Sequence, residues 1–343
     1  MRRRADPDPQ ESDASSRSNK YGPHLLTTVF DPAAFVEEAV KKLEQELPGK
    51  AVVACSGGVD SSVCAVLAAK AVGDRALSVF VDHGLIRKGE RALVERMMSS
   101  FHANFKVVDA SDEFLAALEG VIEPEQKRKI IGGKFIDVFE REAKPFGATH
   151  LVQGTIAPDW IESGGGLRDT IKSHHNVGGL PERMSLKLAE PLRDLYKDEV
   201  RKVARFLKLE NAERQPFPGP GLAVRCLGEL TEEKIEIVRE SCAIVEEEIE
   251  AAAAAGKCEL PWQYFAALLN VRSVGVQGDT RSYGWTVVVR AVGALDGMTA
   301  HWSKIPHEVL ERISTRITNT MGKRVNRVVY DVSNKPPGTI EWE

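Results

Sequence analysis

A glycine- and serine-rich stretch, SGGVDSS at residues 56–62, combines residue types that suit anion binding. It follows an apolar run that predicts a buried strand over 50–55 and precedes a helical pattern over 61–72. Glycines let the backbone turn tightly and present successive N–H groups, and the helix N-terminus adds its dipole. Because a helix cap alone needs fewer such residues, we interpret the stretch as a phosphate-binding loop.

This loop is not a Walker A loop, because no Gly-Lys-Ser/Thr follows the glycines. Phosphate charge must then be neutralised by another group. Asp60 suits a Mg²⁺ ligand, since magnesium takes few carboxylates together with phosphate oxygens. We therefore expect Mg²⁺ as a cofactor, with Asp60 as its metal ligand.

Two adjacent histidines, His174 and His175, lie in a Gly- and His-rich stretch at 163–185 whose length suits a lid. We reject a zinc site there, because neighbouring histidines point apart in most conformations and no third ligand is in register. The five cysteines are scattered without a CxxC pair, so a disulfide framework is also disfavoured and a cytoplasmic location is expected.

Alternating strands and helices position the loop. Further strands are predicted at 76–82, 105–108 and 149–153, and further helices at 89–100, 124–144 and 197–207. This alternation predicts an α/β fold with a doubly wound parallel sheet. Ligands of such sheets lie beyond the carboxyl ends of the strands, where the polar loops 56–62, 82–88 and 154–163 fall.

The sequence changes character after the proline-rich RQPFPGPGL at 214–222. A long helix, two strands around a turn at Gly278-Asp279, another helix and a last strand predict a smaller α+β domain. We therefore predict three parts: a disordered tail at 1–24, a nucleotide-binding domain at 25–225 and the α+β domain at 226–343.

The bulk composition excludes several classes of protein. The 343 residues are 43% hydrophobic and 28% charged, with a net charge of −4, so the molecule as a whole does not attract polyanions. No apolar stretch reaches the roughly 18–20 residues that span a bilayer, and the start of the chain lacks the apolar region of a signal peptide. We expect no nucleic-acid partner and no membrane association.

The SGGVDSS loop after a strand resembles the signature loop of the ATP pyrophosphatases, the PP-loop family, whose members cleave ATP between the α and β phosphates. From about Leu43 onward, the chain resembles the ATP-pyrophosphatase and dimerisation parts of the GMP synthases, and the ATP-pyrophosphatase part implies an adenine nucleotide alpha hydrolase-like fold. The motifs that carry the resemblance are FVDHGLIRKGE, KRKIIGGKF, QGTIAPDWIES, KSHHNVGGLPE, EPLRDLYKDEVRKV, PFPGPGLAVR, RSVGVQGD, MTAHW and KPPGTIEWE.

The resemblance implies an AMP-forming carbon–nitrogen ligase that converts XMP to GMP. ATP adenylylates the xanthine O2 with release of pyrophosphate, and ammonia then displaces AMP. The second domain implies a homodimer. Only about 40 mostly polar residues precede the matching region, so we expect a separate glutamine amidotransferase subunit to supply ammonia.

Two other classes stay open. Another PP-loop enzyme is one, although a tRNA-thiolating enzyme normally uses paired cysteines and an NAD synthase would not explain KPPGTIEWE. A nucleotide-binding scaffold without turnover is the other.

Motif matches imply two sets of ligand contacts. Those to ATP are Ser56, Gly57, Gly58, Val59, Asp60, Ser61, Ser62, Val81, Gly154 and Thr155. Those to XMP are Arg128, Pro218, Gly219, Pro220, Gln277, Lys335, Ile340 and Glu341.

Catalytic roles are implied for Asp60 and, more weakly, for Lys187 and Glu190. The alternative for Lys187 and Glu190 is a structural pair at the edge of a strand, which would have the same sequence pattern. Asp159 and Glu162 either bind metal or form a solvated loop pair. The family usually has Asn where His83 stands, and we interpret His83 as an exposed turn residue without a role.

Overall fold

The computed structural model describes residues 30–157, 186–294 and 297–343. Several sequence-based expectations fall outside these residues. They are the disordered tail at 1–24, the lid at 163–185 with His174 and His175, and the roles of Asp159 and Glu162.

The first sheet has five parallel strands in the order β3-β2-β1-β4-β5. They are β1 (Ala51–Cys55), β2 (Ala76–Asp82), β3 (Asn104–Asp109), β4 (His150–Val152) and β5 (Lys187–Ala189). The central β1 and β2 are apolar and almost wholly buried, as expected for strands covered on both faces. The strand order changes direction at β1, so the expected doubly wound α/β architecture is confirmed.

Six helices belong to this part of the described chain. They are α1 (Pro32–Glu46), α2 (Val59–Val72), α3 (Glu90–Ser100), α4 (Ser111–Leu118), α5 (Pro124–Phe146) and α6 (Lys197–Phe206). Helix α2 is buried along most of its length. Helix α5 begins with a proline and ends at Gly147 in the left-handed conformation, the usual helix start and stop signals.

The second sheet consists of β6 (Gln263–Gln277), β7 (Thr280–Gly293), β8 (His301–Trp302) and β9 (Val325–Tyr330). Strands β6 and β7 form a long antiparallel hairpin, and β9 pairs with β7 in parallel. The predicted turn at Gly278-Asp279 is confirmed, with φ angles of 53° and 59°. Helices α7 (Glu232–Ala254) and α8 (His307–Met321) contribute buried apolar residues to the core beside this sheet.

Residues 32–343 group as one compact unit. Leu222, Ala223 and Cys226 are fully buried, and Cys226 forms a parallel β-bridge with Leu268 of the second sheet. The domain boundary after residue 225 stays a prediction. Among the described residues, none of the helices combines the length and apolar character needed to cross a membrane.

Candidate functional site

The SGGVDSS loop connects the carboxyl end of the central strand β1 to the start of α2. Gly57 has a φ of +81°, and a Cβ there would lie 2.8 Å from Glu90 Oε1, so only glycine fits. Gly58 is extended and caps α2, whose first helical hydrogen bond runs from Ser62 N to Gly58 O. Because the first N–H groups of a helix have no partner within it, the loop can offer them to an anion.

The three serines of the loop divide into two groups. The hydroxyls of Ser56 and Ser61 lie 3.0 Å apart, and Ser56 N donates to Ser61 Oγ. Ser62 is fully buried and its Oγ accepts a hydrogen bond from the amide of Asn211. The structure therefore brings the hydroxyls of Ser56 and Ser61 together within the loop but turns Ser62 into the core.

Asn211 is a loop-supporting residue that sequence reasoning missed. It is 1% exposed, and its Nδ2 donates to Gly57 O at 2.9 Å and to Ser62 Oγ at 3.0 Å. The Gly57 carbonyl thus points to a protein donor rather than towards a ligand. Glu90, the buried glutamate next to Gly57, forms an ion pair with Arg214, with 2.7 Å between Arg214 Nη1 and Glu90 Oε2.

A lysine does reach the loop, contrary to the expectation that phosphate charge there depends on magnesium and neutral donors. Lys197, the first residue of α6, places its Nζ 2.8 Å from Asp60 Oδ1 and 2.6 Å from Asp60 Oδ2. The signal for it in the sequence is the YKDEVRKV run, which belongs to one of the motifs that carry the family resemblance.

Gly154 allows the end of β4 to approach the SGGVDSS loop. Its Cβ, if present, would lie 3.1 Å from both Ser61 N and Asp60 C. Buried oxygens without a hydrogen-bond partner in the described structure occur at this same edge, namely Gln153 Oε1, Thr155 Oγ1 and Glu190 Oε1. Oxygen atoms of this kind, like those of the Asp60 carboxylate, are the ligands that Mg²⁺ prefers.

The other members of the predicted ATP and catalytic sets lie at both edges of the sheet. Val81 is buried one residue before the carboxyl end of β2. Lys187 is exposed at the amino end of β5, where it pairs with His150. The structure therefore does not bring Lys187 to the loop, and the lysine that meets Asp60 is Lys197.

His83 is not an exposed turn residue, so that interpretation was wrong. It is 5% exposed and packs between Phe114 and Phe135, with ring centroids 5.5 and 5.0 Å away. Burial, aided by the charge of Arg239, lowers the pKa of His83 from 6.5 to about 4. At neutral pH the ring is uncharged and belongs to the apolar support of this edge of the sheet.

The segment 335–343 is held against the core by cations, of which Arg225 and Lys127 are fully buried and Arg128 is partly exposed. Arg225 binds the carboxylate of Glu341 through two nitrogens, at 3.0 and 2.8 Å. Lys127 binds the carboxylate of Glu343, and Arg128 donates to the Glu343 main-chain carbonyl. Two predicted XMP residues, Arg128 and Glu341, thus meet at one ordered segment.

The proline-rich turn joins the same cluster. The Phe217 ring, directly before Pro218, lies between the guanidinium groups of Arg87 and Arg225, at 4.5 and 5.0 Å. Arg225 therefore contacts both Phe217 and Glu341. The predicted residues Pro218, Gly219 and Pro220 follow directly from this ring in the chain.

The remaining predicted XMP residues divide between this cluster and a distant position. Ile340 packs partly buried against the core, and Lys335 Nζ donates to Gly297 O at 2.8 Å. Gln277 stands at the far end of β6, whereas Gln263 at its beginning contacts Glu341 at 2.6 Å. At roughly 3.3 Å per residue, about 45 Å of strand separates the two glutamines.

Comparisons with family models and with curated proteins agree on one family. Residues 247–342 match the family model described as GMP synthase C terminal domain, and residues 29–135 match the model described as NAD synthase. The chain is 57% identical to one subunit of the glutamine-hydrolyzing GMP synthase of Pyrococcus horikoshii, with 92% of this chain and 100% of that protein covered. The corresponding subunit from Methanopyrus kandleri is 56% identical with the same coverage. The glutamine-hydrolyzing GMP synthase of Geobacillus kaustophilus is 56% identical over 90% of this chain but only 61% of its own length.

Proposed function

The chain belongs to the GMP synthase family, and from this we infer that it is the ATP-pyrophosphatase subunit that converts XMP to GMP. It is an AMP-forming carbon–nitrogen ligase that uses ATP as a substrate. The xanthine O2 attacks the α-phosphorus of ATP and pyrophosphate leaves. Ammonia then attacks C2 and AMP leaves, carrying the former O2 with it. Activation is needed because the unmodified C2 oxygen is a poor leaving group.

The phosphate loop is the observation that carries this proposal. We assign the β and γ phosphates of ATP to the loop N–H groups and to the hydroxyls of Ser56 and Ser61. Lys197 adds positive charge at the same position. These groups hold the pyrophosphate as it departs, so their contribution is positioning and charge neutralisation rather than proton transfer.

A Mg²⁺ ion fits the oxygen-rich edge beside the loop. Asp60 would hold it, and Gln153 and Glu190, which follow the ends of β4 and β5, are further candidate oxygen ligands. The ion pair between Asp60 and Lys197 must then exchange. When bound, the ion supplies further neutralisation of phosphate charge. Lys197 and the magnesium ion would share this task.

We assign the XMP base and phosphate to the cluster around the segment 335–343. Arg128, the turn at 218–220, Ile340 and Glu341 are its proposed contacts from this chain. A guanidinium suits a phosphate, because it offers a fork of donors, and a carboxylate suits a base N–H. The cluster is ordered by buried ion pairs, which reduces the entropy lost when substrate binds.

The deciding experiment incubates the purified chain with Mg-ATP, XMP and ammonium chloride and identifies the products. GMP, AMP and pyrophosphate in equal amounts are expected. ADP with phosphate, turnover without XMP, or ATP binding without turnover would each contradict the proposal. The last result would instead favour a nucleotide-binding scaffold.

Asp60 provides a sharper version of this test. Asp60→Ala is expected to abolish AMP formation while the thermal unfolding midpoint changes little, because the Asp60 side chain is partly exposed. Asp74→Ala, an exposed position just beyond the other end of the same helix, is the matched control. A near-normal rate for Asp60→Ala at saturating Mg²⁺ would remove the metal role.

Ammonia is proposed to come from a separate glutaminase subunit in the cytoplasm, a location that the five free cysteines support. The chain alone should make GMP from ammonium but not from glutamine. Glutamine-dependent synthesis by the purified chain would contradict this division. Addition of the partner subunit should restore the use of glutamine.

A homodimer is proposed from the outer part of the β6–β7 hairpin. Val274, Val276 and Tyr283 are 60%, 72% and 63% exposed, and Val274 lies opposite Tyr283 in the strand register. An apolar strip of this kind marks an interaction surface. We propose a second copy as the occupant and Val276→Glu as the variant that dissociates it in sedimentation experiments.

Gln277 connects this dimer to the active site. Because about 45 Å of strand separates Gln277 from the Glu341 cluster in its own chain, it can contact XMP only in a second copy. Mixing the inactive variants Asp60→Ala and Gln277→Ala should then restore part of the activity. No recovery from a mixed, exchanged dimer would restrict Gln277 to a structural role.

A further inference from the structure

Arg225 is a fully buried guanidinium with an unusual set of neighbours. Its side chain is 0% exposed and lies over the rings of Phe217 and Phe265, at 5.0 and 4.1 Å. Its Nε and one terminal nitrogen bind the two oxygens of Glu341. A buried charge costs several kcal/mol unless it is paired in good geometry. The Glu341 carboxylate provides that pairing.

The electrostatics of the pair support this arrangement. Burial is the largest single influence and lowers the pKa of Arg225, but the charge and hydrogen bonds of Glu341 together with Cys242 and Glu246 outweigh it, so the pKa lies above its ordinary value. Arg225 is therefore a permanent cation that holds the carboxylate in one orientation. Aromatic rings on the guanidinium faces prevent it from rotating away.

The hydrogen bonds that the Glu341 carboxylate already accepts leave one acceptor position for a ligand. Oε1 accepts from Arg225 at 2.8 Å and from Gln263 Nε2 at 2.6 Å. Oε2 accepts only from Arg225 Nε, at 3.0 Å, among the described residues. Since each carboxylate oxygen has two lone pairs, one acceptor position is left, on Oε2. The Glu341 side chain is 18% exposed, so the side chain is not fully closed off from solvent.

We propose that Arg225 is a positioning residue that fixes Glu341 as a single hydrogen-bond acceptor for a ring N–H of the purine monophosphate. The proposal rests on the function proposed above and adds the device that selects the base. Xanthine carries ring N–H groups in its six-membered ring, whereas adenine has bare nitrogens there. A carboxylate held with one outward lone pair accepts a hydrogen bond from a xanthine N–H group and repels the lone pair of an adenine ring nitrogen.

Arg290 offers a matched control in the same chain. It is also 0% exposed, pairs with Asp331 at 3.3 Å, and donates to the main-chain carbonyls of Ser333 and Thr339. It holds the same segment but does not touch Glu341. A purely structural effect of loosening the segment should appear in both variants.

The experiment compares Arg225→Lys with Arg290→Lys in the full chain with ammonium as nitrogen donor. Arg225→Lys keeps the charge but loses the two-pronged contact. It is expected to raise the KM for XMP roughly tenfold or more, because charged hydrogen bonds contribute on the order of 1.5–3 kcal/mol. The KM for ATP should stay unchanged. Arg290→Lys should lower the thermal midpoint without a comparable change in the KM for XMP.

A double-mutant cycle separates positioning from general stability. If Arg225 acts through Glu341, then Arg225→Lys should add little to the KM for XMP in a Glu341→Ala background, although it still lowers the thermal midpoint. Additive effects on KM, or equal effects of the two arginine variants, would overturn the proposal.

Two further outcomes are informative. Should Arg225→Lys fail to fold, Gln263→Met removes another donor to Glu341 and should raise the KM for XMP alone; an unchanged KM would overturn the proposal. Absence of XMP-dependent AMP formation in the unmodified chain would refute the proposed function itself, and this inference with it.

Discussion

The buried His83 should make the stability of the protein depend on pH in a defined window. Its ring lies between two phenylalanines, and a Cβ on Gly221 would come within 2.9 Å of it. His83 is 5% exposed and its buried Nδ1 has no hydrogen-bond partner among the described residues, so a charged imidazole would be poorly solvated there. His83→Asn removes the titration while keeping a polar side chain at this position.

The magnitude follows from the two pKa values. The folded-state pKa of about 4 lies below the ordinary value of 6.5, so between these values the unfolded chain binds the proton and the folded chain does not. Stability from His83 is therefore complete above pH 6.5 and is lost as the pH falls towards 4. At pH 5 the loss amounts to about 2 kcal/mol relative to pH 8.

Equilibrium urea unfolding at pH 8 and pH 5 measures this effect. Other titrating groups contribute equally to the parent and the variant, so the difference between their pH dependences isolates His83. His83→Asn should lose about 2 kcal/mol less than the parent between the two pH values, even if it is less stable at both. The exposed His102→Asn is the control and should behave like the parent. Identical pH dependences of parent and His83→Asn would refute the assignment of a neutral, buried ring.

Three more changes test other contacts at the site. Lys197→Met should abolish XMP-dependent AMP formation with little change in thermal midpoint, whereas Lys202→Met on the same helix should leave the rate intact; a normal rate for Lys197→Met would contradict its phosphate role. Asn211→Leu leaves the Gly57 carbonyl unpaired and should cost about 2 kcal/mol in urea unfolding and raise the KM for ATP; an unchanged KM would make it purely structural. Gly221→Ala should lower the free energy of unfolding by more than about 3 kcal/mol, because its Cβ would lie 2.2 Å from a backbone carbonyl oxygen. Gly73→Ala is the control and should cost about 1 kcal/mol, since Gly73 has a similar φ but open space around it. Equal losses of stability would refute the steric explanation.

The sheet and the loop could be predicted because their signals are local. Apolar runs such as 51–55 and 76–82 have the length of buried strands, and the glycines at 57–58 stand where a strand must turn into a helix. Helices α1 and α4 were missed. Helix α4 has only eight residues and no side-chain cap at its N-terminus, so its signal in the sequence is weak. The short strand β5 was missed for a similar reason, because three residues give no periodicity.

The supporting residues of the site could not be predicted, because each meets its partner far along the chain. Lys197 and Asp60 are 137 residues apart, and Arg225 and Glu341 are 116 apart. Nothing in the local pattern distinguishes such a lysine or arginine from one on a solvated surface. His83 was misjudged on the same basis, because its turn is covered by α4 and α5, whose packing no local pattern reveals.

The segment from Asn211 to Arg225 explains why both halves of the site occur in one compact unit. Asn211 fixes the carbonyl of the phosphate loop, and Arg214 holds the glutamate below it. Further along, Gly221 packs against the turn that follows β2, the next residue donates its N–H to a carbonyl of that turn, and Arg225 then fixes Glu341. Proline and close packing leave this segment few alternative conformations. We expect this segment to set the distance between the two proposed ligand positions, the nucleotide on the loop and the base beside Glu341, which transfer of an adenylyl group requires to be constant.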